Sequence, residues 1–252
     1  MKPLDVKSFV FDLGGTLYGP TDLVGEIRGF LEELGLTGFT DDAIQRSNDA
    51  ADAWLDEMMF GTNAHAHWEP SHDEFEQYDR IVLTTLGVVD NLDDYVARYQ
   101  HKWDVRIASL KEQLFEGCKS TLEELHSRGY RLAAASNRWG TPLPYLERDG
   151  IADLFESVEY SNVPGYRKPS PYMLVQVASQ LHVNPIKMAY VGNVVKYDIV
   201  AAQRAGAVPI LLAWGNVDEE KLAPSGTTIL KKATELLELV GSNGHRKEHR
   251  QR

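Results

Sequence analysis

The 252-residue chain is 43% hydrophobic and 25% charged, an ordinary globular composition that excludes intrinsic disorder, collagen-like and disulfide-scaffold classes. Its 26 Lys+Arg stand against 37 Asp+Glu, a net charge of −11, so nucleic acid and anionic membrane are not expected partners, because neutralising their phosphates needs a positive surface. A single cysteine, Cys118, no apolar run near the ~20 residues of a membrane helix, and an N-terminus that meets Asp5 before any apolar leader predict a cytoplasmic protein whose fold needs no disulfide.

In chain order, Ser8-Phe9-Val10-Phe11-Asp12 is a short apolar run that halts at an aspartate and continues through Leu13 into Gly14-Gly15-Thr16. A buried parallel strand ends this way when the loop at its carboxyl edge carries chemistry. From about Thr21 to Leu114 helical periodicity takes over. Leu23, Ile27, Phe30, Leu31 and Leu34 form one stripe, and Ala43, Ser47, Ala50, Trp54 and Met58 a second. Phe75, Tyr78, Val82 and Leu86 form a third, and Leu92, Val96 and Tyr99 a fourth. Asp41 and Ser71 stand where helix N-caps are expected. Within this block Trp54, Trp68, Trp103, Met58, Met59 and Phe60 have helical spacing and read as packing core rather than an aromatic substrate pocket. His65, His67 and His72 lack zinc-site spacing and read as surface loop residues.

From Cys118 onward helix and strand alternate. Leu122 to Leu125 belongs to a helix, and Arg131 to Ala135 is a strand running into Ser136-Asn137. A strand is predicted over 155–160, a helix over 171–181, a strand over 188–192, a helix over 198–205, a strand over 208–212 and a helix over 228–240. Strands separated by single helices imply right-handed crossovers and a parallel sheet. The expectation is an α/β protein: a doubly wound parallel core, residues 1–17 and 115–241, with an all-helical domain over 18–114. A polar tail, 242–252, has nothing to bury, and its basic run from Arg246 to Arg252 reads as solvated.

Four strand ends finish in polar groups: Asp12, Ser136, Lys168 just beyond the fourth segment, and Asn193. In doubly wound sheets the ligand lies at such ends, near the topological switch point. Asp12 is the natural nucleophile or metal ligand. Gly14-Gly15-Thr16 offers backbone N–H groups to an anion, and Thr16 and Ser136 offer hydroxyls. Lys168 supplies positive charge where negative charge develops, and Asn193 and Asp198 are oxygen ligands suited to Mg²⁺. Each has a bland alternative: a loop aspartate, a helix-capping Ser136-Asn137 pair, a solvated lysine, an Asp198 that caps its helix. Their convergence argues against all four holding at once.

Together these segments resemble the haloacid dehalogenase superfamily, whose Rossmann-like core carries a helical cap inserted after its first motif. Motif one matches Phe11-Asp12-Leu13-Gly14-Gly15-Thr16-Leu17, motif two Ser136-Asn137, and motif three Gly165-Tyr166-Arg167-Lys168-Pro169. Motif four matches Val191-Gly192-Asn193, followed by Asp198 and Ala205-Gly206. The resemblance implies a hydrolase, here a phosphatase on a small phosphorylated metabolite, in which Asp12 attacks phosphorus (or carbon) to give an aspartyl intermediate. It implies that Ser136 and Lys168 hold the phosphoryl oxygens, with Gly15, Thr16 and Asn137 beside them. Mg²⁺ would sit on Asp12, the Gly14 carbonyl, Asn193 and Asp198. Two positions depart from the pattern. The second aspartate of motif one, the general acid–base, is Gly14, a loss that typically forfeits ~10²–10⁴-fold in rate. The first acid of motif four is Asn193. These departures leave two alternatives. One is hydrolysis at carbon of the 2-haloacid dehalogenase kind, whose members also lack the second aspartate but usually carry tyrosine there. The other is a binding or regulatory protein that kept the fold. A phosphonoacetaldehyde hydrolase is set aside, since it needs a cap lysine and none occurs between Lys7 and Lys102.

Overall fold

The computed structural model of the chain describes residues 3–19 and 22–241. All four residues of β1 (Ser8–Phe11) are buried, as a continuous apolar run requires of a central parallel strand. The short β2 (Tyr18–Gly19) follows. Four helices come next: α1 (Leu23–Glu33), α2 (Asp41–Phe60), α3 (His72–Thr85) and α4 (Leu92–Ala108). β3 (Gln113–Leu114) then pairs antiparallel with β2. The remainder alternates: α5 (Cys118–Ser127), β4 (Arg131–Ser136), α6 (Leu143–Arg148), β5 (Phe155–Tyr160), α7 (Tyr172–Gln180) and β6 (Met188–Gly192). α8 (Val200–Ala205), β7 (Val208–Leu212), α9 (Val217–Leu222) and β8 (Thr228–Leu230) complete it.

Six strands form one sheet in the order β5-β4-β1-β6-β7-β8, and every neighbouring pair is parallel. The chain moves from β1 out to β5 on one side and returns to β6 on the other. β1 therefore stands at the switch point, flanked by β4 and β6. Against one face, α7 and α8 lay Met173, Leu174, Val177, Ala201 and Ala202 on Val10, Ala133, Ala135 and Tyr190.

Contacts divide the chain into two units, one running to Pro20 and resuming at Glu112, the other Thr21–Lys111. The predicted helical domain, 18–114, runs a few residues beyond the observed unit at each end, because β2 and β3 pair with each other and belong to the first unit. The helical unit has its own core, built on Ile27, Leu31, Ile44, Leu83, Val96 and Tyr99. Trp103 stands edge-on to Phe30 at 5.0 Å between ring centroids, the packing role its spacing implied. Phe60, in contrast, is 75% exposed and is no part of that core. Ser71 caps α3 in a reciprocal box with Glu74. The cap of α2 is Thr40 rather than Asp41, which lies in the first turn, where a negative side chain favours the helix dipole. His65, His67 and His72 are exposed, and the described residues hold no group of three metal-binding side chains. No helix among them is long and apolar enough to cross a membrane.

Two further expectations are corrected. Residues 228–240 are not one helix: Thr228–Leu230 is the edge strand β8, in register with β7 through Ile210, Leu211 and Leu212, and Ala233–Glu238 is a 3₁₀ turn. The β-branched pair Thr228-Ile229 suits a pleated edge, and strand pairing overrides the helical spacing of the leucines that follow. The helix predicted from Asp198 is preceded by a π turn, Val195–Ile199, and only then becomes α8. The predicted tail, 242–252, lies outside the described residues.

Asp79 occupies the face of α3 where apolar periodicity leads into the core. It is 2% exposed and its Oδ2 has no hydrogen-bond partner. Burial pushes its carboxyl up to about 8, with Asp104 and Glu76 adding to the rise. A carboxyl whose folded pKa is raised binds its proton more tightly in the fold than in the unfolded chain. Its contribution is therefore fully favourable below the unfolded value near 4 and is lost as pH rises through about 8. Thermal unfolding followed from pH 4 to 9 is expected to show the wild type losing Tm over this window. Asp79→Asn is expected to remove that component and to exceed the wild type by roughly 5 °C or more above pH 8. Parallel pH profiles for the two proteins would contradict the assignment.

Candidate active site

β4, β1 and β6 are neighbours, so parallel pairing brings their carboxyl ends to one edge. Asp12 directly follows β1, and its backbone N–H donates to the Val191 carbonyl at 2.9 Å. Its carboxylate is 4% exposed, and its two oxygens have different neighbours. Oδ1 accepts from Ser136 Oγ at 2.9 Å and from Lys168 Nζ at 2.7 Å. Oδ2 lies 3.1 Å from Thr16 Oγ1, which in turn stands 2.9 Å from Asn193 Oδ1.

Lys168 is 3% exposed. Its ammonium reaches Asp12 Oδ1, Asp198 Oδ1 at 2.6 Å and the Tyr190 hydroxyl at 2.9 Å. Three N–H groups thus meet three acceptors, all that an ammonium can use. The Tyr190 hydroxyl itself donates to the Ala135 carbonyl at 2.8 Å. Burial by itself would favour the neutral amine, but the Asp12 and Asp198 carboxylates outweigh it and raise the Lys168 pKa above its ordinary value. Burial first, and then Asp198 and Asp12, push Tyr190 well up, so it remains a neutral hydroxyl.

Asp198 is 1% exposed. Its Oδ2 accepts from the backbone N–H groups of Asn193 at 3.0 Å and Val194 at 2.9 Å. The π turn places it there, directly against Gly192, where any Cβ would run into the Asp198 carboxylate.

These distances revise three of the roles read from sequence. The Gly15 and Thr16 N–H groups do not face an anion. They close the turn, donating to Tyr18 O at 2.7 Å and Leu13 O at 3.1 Å. Gly15 has φ +76° and rests against the Asn193 amide, a conformation and a closeness that glycine alone meets without strain. Among the described residues, the loop N–H groups left without an acceptor are those of Leu13 and Gly14. Asn137 does not offer its amide to a ligand. Oδ1 accepts the Lys168 N–H at 2.7 Å and Nδ2 donates to the Lys168 carbonyl at 3.0 Å, so the side chain brackets that backbone. Asp198 has both oxygens engaged and is the lysine's counterion rather than an open ligand. The oxygens outside the Lys168 ammonium's contacts are Asp12 Oδ2 and Asn193 Oδ1, both beside the Thr16 hydroxyl, and the carbonyl of the exposed Gly14. One carboxylate and two neutral oxygens suit Mg²⁺, which retains several waters.

Sequence reasoning missed Tyr190, hidden inside an apolar strand, and Trp214, whose Nε1 donates to the Thr16 carbonyl at 3.1 Å and whose ring packs on Phe115.

Residues 6–206 match the family model described as haloacid dehalogenase-like hydrolase. The chain is 28% identical to a phosphoglycolate phosphatase of Vibrio parahaemolyticus over 95% of its own length and 98% of the relative's. It is 26% identical to a glyceraldehyde 3-phosphate phosphatase of Methanopyrus kandleri over 85% and 87%. Among solved structures, a 2-haloacid dehalogenase of Pseudomonas syringae superposes with a TM-score of 0.62 at 20% identity, covering 93% of this chain and 97% of that one. At that identity the likeness is one of fold.

The contact between Gly192 and Asp198 is open to test. Gly192→Ala forces the carboxylate off Lys168 or the strand off its register. Overpacking of this kind costs about 1–3 kcal/mol, read as a Tm lowered by roughly 3–8 °C. An unchanged Tm would show that the site edge has slack.

Proposed function

The chain belongs to the haloacid dehalogenase-like hydrolase family, and from that premise we propose that it hydrolyses the phosphate ester of a small metabolite through an aspartyl-phosphate on Asp12. The observation that carries this reading is the Asp12 carboxylate at the switch-point edge, with the Lys168 ammonium 2.7 Å and the Ser136 hydroxyl 2.9 Å from one oxygen. The relatives named as phosphatases over nearly their full length favour phosphorus over carbon as the centre attacked.

In the first step an Asp12 oxygen attacks phosphorus and the bond to the leaving oxygen breaks. On this reading Ser136 turns from Asp12 to donate to the phosphoryl oxygens together with the Leu13 and Gly14 N–H groups, and Lys168 offsets the accumulating charge. In the second step water attacks the same phosphorus, releasing inorganic phosphate and restoring the Asp12 carboxylate. Mg²⁺ held by Asp12, the Gly14 carbonyl and Asn193 would add positive charge against the phosphoryl oxygens. No side chain at Gly14 protonates the leaving oxygen, so that proton comes from water. Esters with good leaving groups suffer least from this.

Phosphate release from a panel of phosphometabolites and an aryl phosphate, with Mg²⁺, tests the reading. Asp12→Asn is expected to lower turnover about 10³-fold or more, and hydrolysis that survives in the variant would refute it. Gly14 is exposed and outside the left-handed region, so a side chain there meets no backbone penalty. Gly14→Asp is expected to raise turnover of alkyl phosphates about tenfold or more, and of aryl phosphates less. A uniform fall across both ester types would show that position 14 does not face the leaving group.

A further inference from the structure

Ala213-Trp214-Gly215-Asn216, the turn leaving β7, is closed by the Asn216 N–H on the Ala213 carbonyl at 2.8 Å. Both central residues have positive φ, +52° at Trp214 and +84° at Gly215, as a type I′ turn requires. Asn, Asp and Gly favour the first central position of such a turn, and a bulky aromatic residue there is strained. A strained residue persists where its surroundings hold it to a task. The Trp214 side chain shows which surroundings. Its Nε1–H donates to the Thr16 carbonyl at 3.1 Å, and its ring packs on Phe115 with 4.9 Å between centroids.

Both contacts lead to the turn after β1. Phe115 gives its own N–H to the Leu17 carbonyl at 2.8 Å and lays its ring against Gly19. Within the turn, the N–H groups of Thr16, Leu17 and Tyr18 converge on the Leu13 carbonyl at 3.1, 2.8 and 2.9 Å. The indole N–H is a donor only, and its bond fixes the Thr16 backbone from outside the turn. Thr16 is fully buried, and its hydroxyl stands between Asp12 Oδ2 and Asn193 Oδ1. A shift of this backbone would therefore carry away the hydroxyl that meets the Asp12 oxygen not bound by Ser136 and Lys168. We propose that Trp214 is a positioning residue, which braces the turn after β1 so that Thr16 fixes the orientation of the Asp12 carboxylate. It acts through Thr16, and as a role in hydrolysis it rests on the phosphatase reading.

Hydrogen exchange measured beside steady-state kinetics tests the proposal. Trp214→Phe keeps a ring against Phe115 and removes the donor, whereas Phe115→Leu keeps the donor and removes the ring contact. In Trp214→Phe the amides of Thr16, Leu17 and Tyr18 are expected to exchange about fivefold faster or more, while those of β4 and β6 stay within about twofold. With Mg²⁺ present, kcat for an aryl phosphate is expected to fall about tenfold, with KM changed less than about threefold. Phe115→Leu is expected to keep kcat within about threefold of the wild type, whatever Tm it loses. Unchanged exchange at residues 16–18 overturns the proposal, as does faster exchange there with kcat intact. So does exchange that rises throughout the sheet, a Trp214→Phe chain that fails to fold, or an equal kcat loss in Phe115→Leu, since each makes the contact one of packing alone. If the wild type turns over no ester, the hydrolytic reading falls, and the exchange at residues 16–18 by itself decides whether Trp214 braces the turn.

Discussion

The buried ammonium of Lys168 between two carboxylates is the constraint on which the site depends. Asp12 and Asp198 are 4% and 1% exposed, and neither could be held so deep without an opposite charge, since an isolated buried carboxylate is strongly unfavourable. Removing one partner of a buried pair typically costs ~3–5 kcal/mol, because the other is left uncompensated. Most of the side-chain contacts around them fix one of the three groups. Ser136 and Thr16 hold Asp12, Tyr190 and Asn137 hold the head and backbone of Lys168, and the Asn193 and Val194 N–H groups hold Asp198.

The sheet supplies the platform for this arrangement. Its strand order sets β1 between β4 and β6, so three neighbouring strands end together at one edge. Small residues make the close approach feasible: Gly192 against Asp198 and Gly15 against Asn193. The core below also contributes, since the fully buried Tyr190 ring packs with α7 and α8 while its hydroxyl reaches Lys168. Packing and chemistry are joined through that one side chain.

Much of this was legible in the sequence because parallel strands buried on both faces read as continuous apolar runs, and their polar ends mark where a site can form. Asp12, Ser136 and Lys168 are found together for that reason. Roles fixed by three-dimensional partners were not legible. Asn137 and Asp198 have the composition of ligands, and only distances show that they serve Lys168. Tyr190 looks like any residue of an apolar strand. Asp79 falls on the apolar face of α3, but an acid at such a position reads as a break in the stripe rather than as a buried group. Residues 228–230 became a strand because β7 offered an edge to pair with, which no local spacing announces.

The central claim, that Asp12 becomes phosphorylated during turnover, can be tested by chemical trapping. Acid quenching during hydrolysis, borohydride reduction and peptide mapping would convert an acyl phosphate at this position to homoserine. Homoserine at residue 12, dependent on substrate and absent elsewhere, is the expected result. Continued phosphate release with an unmodified aspartate at residue 12 would contradict the account.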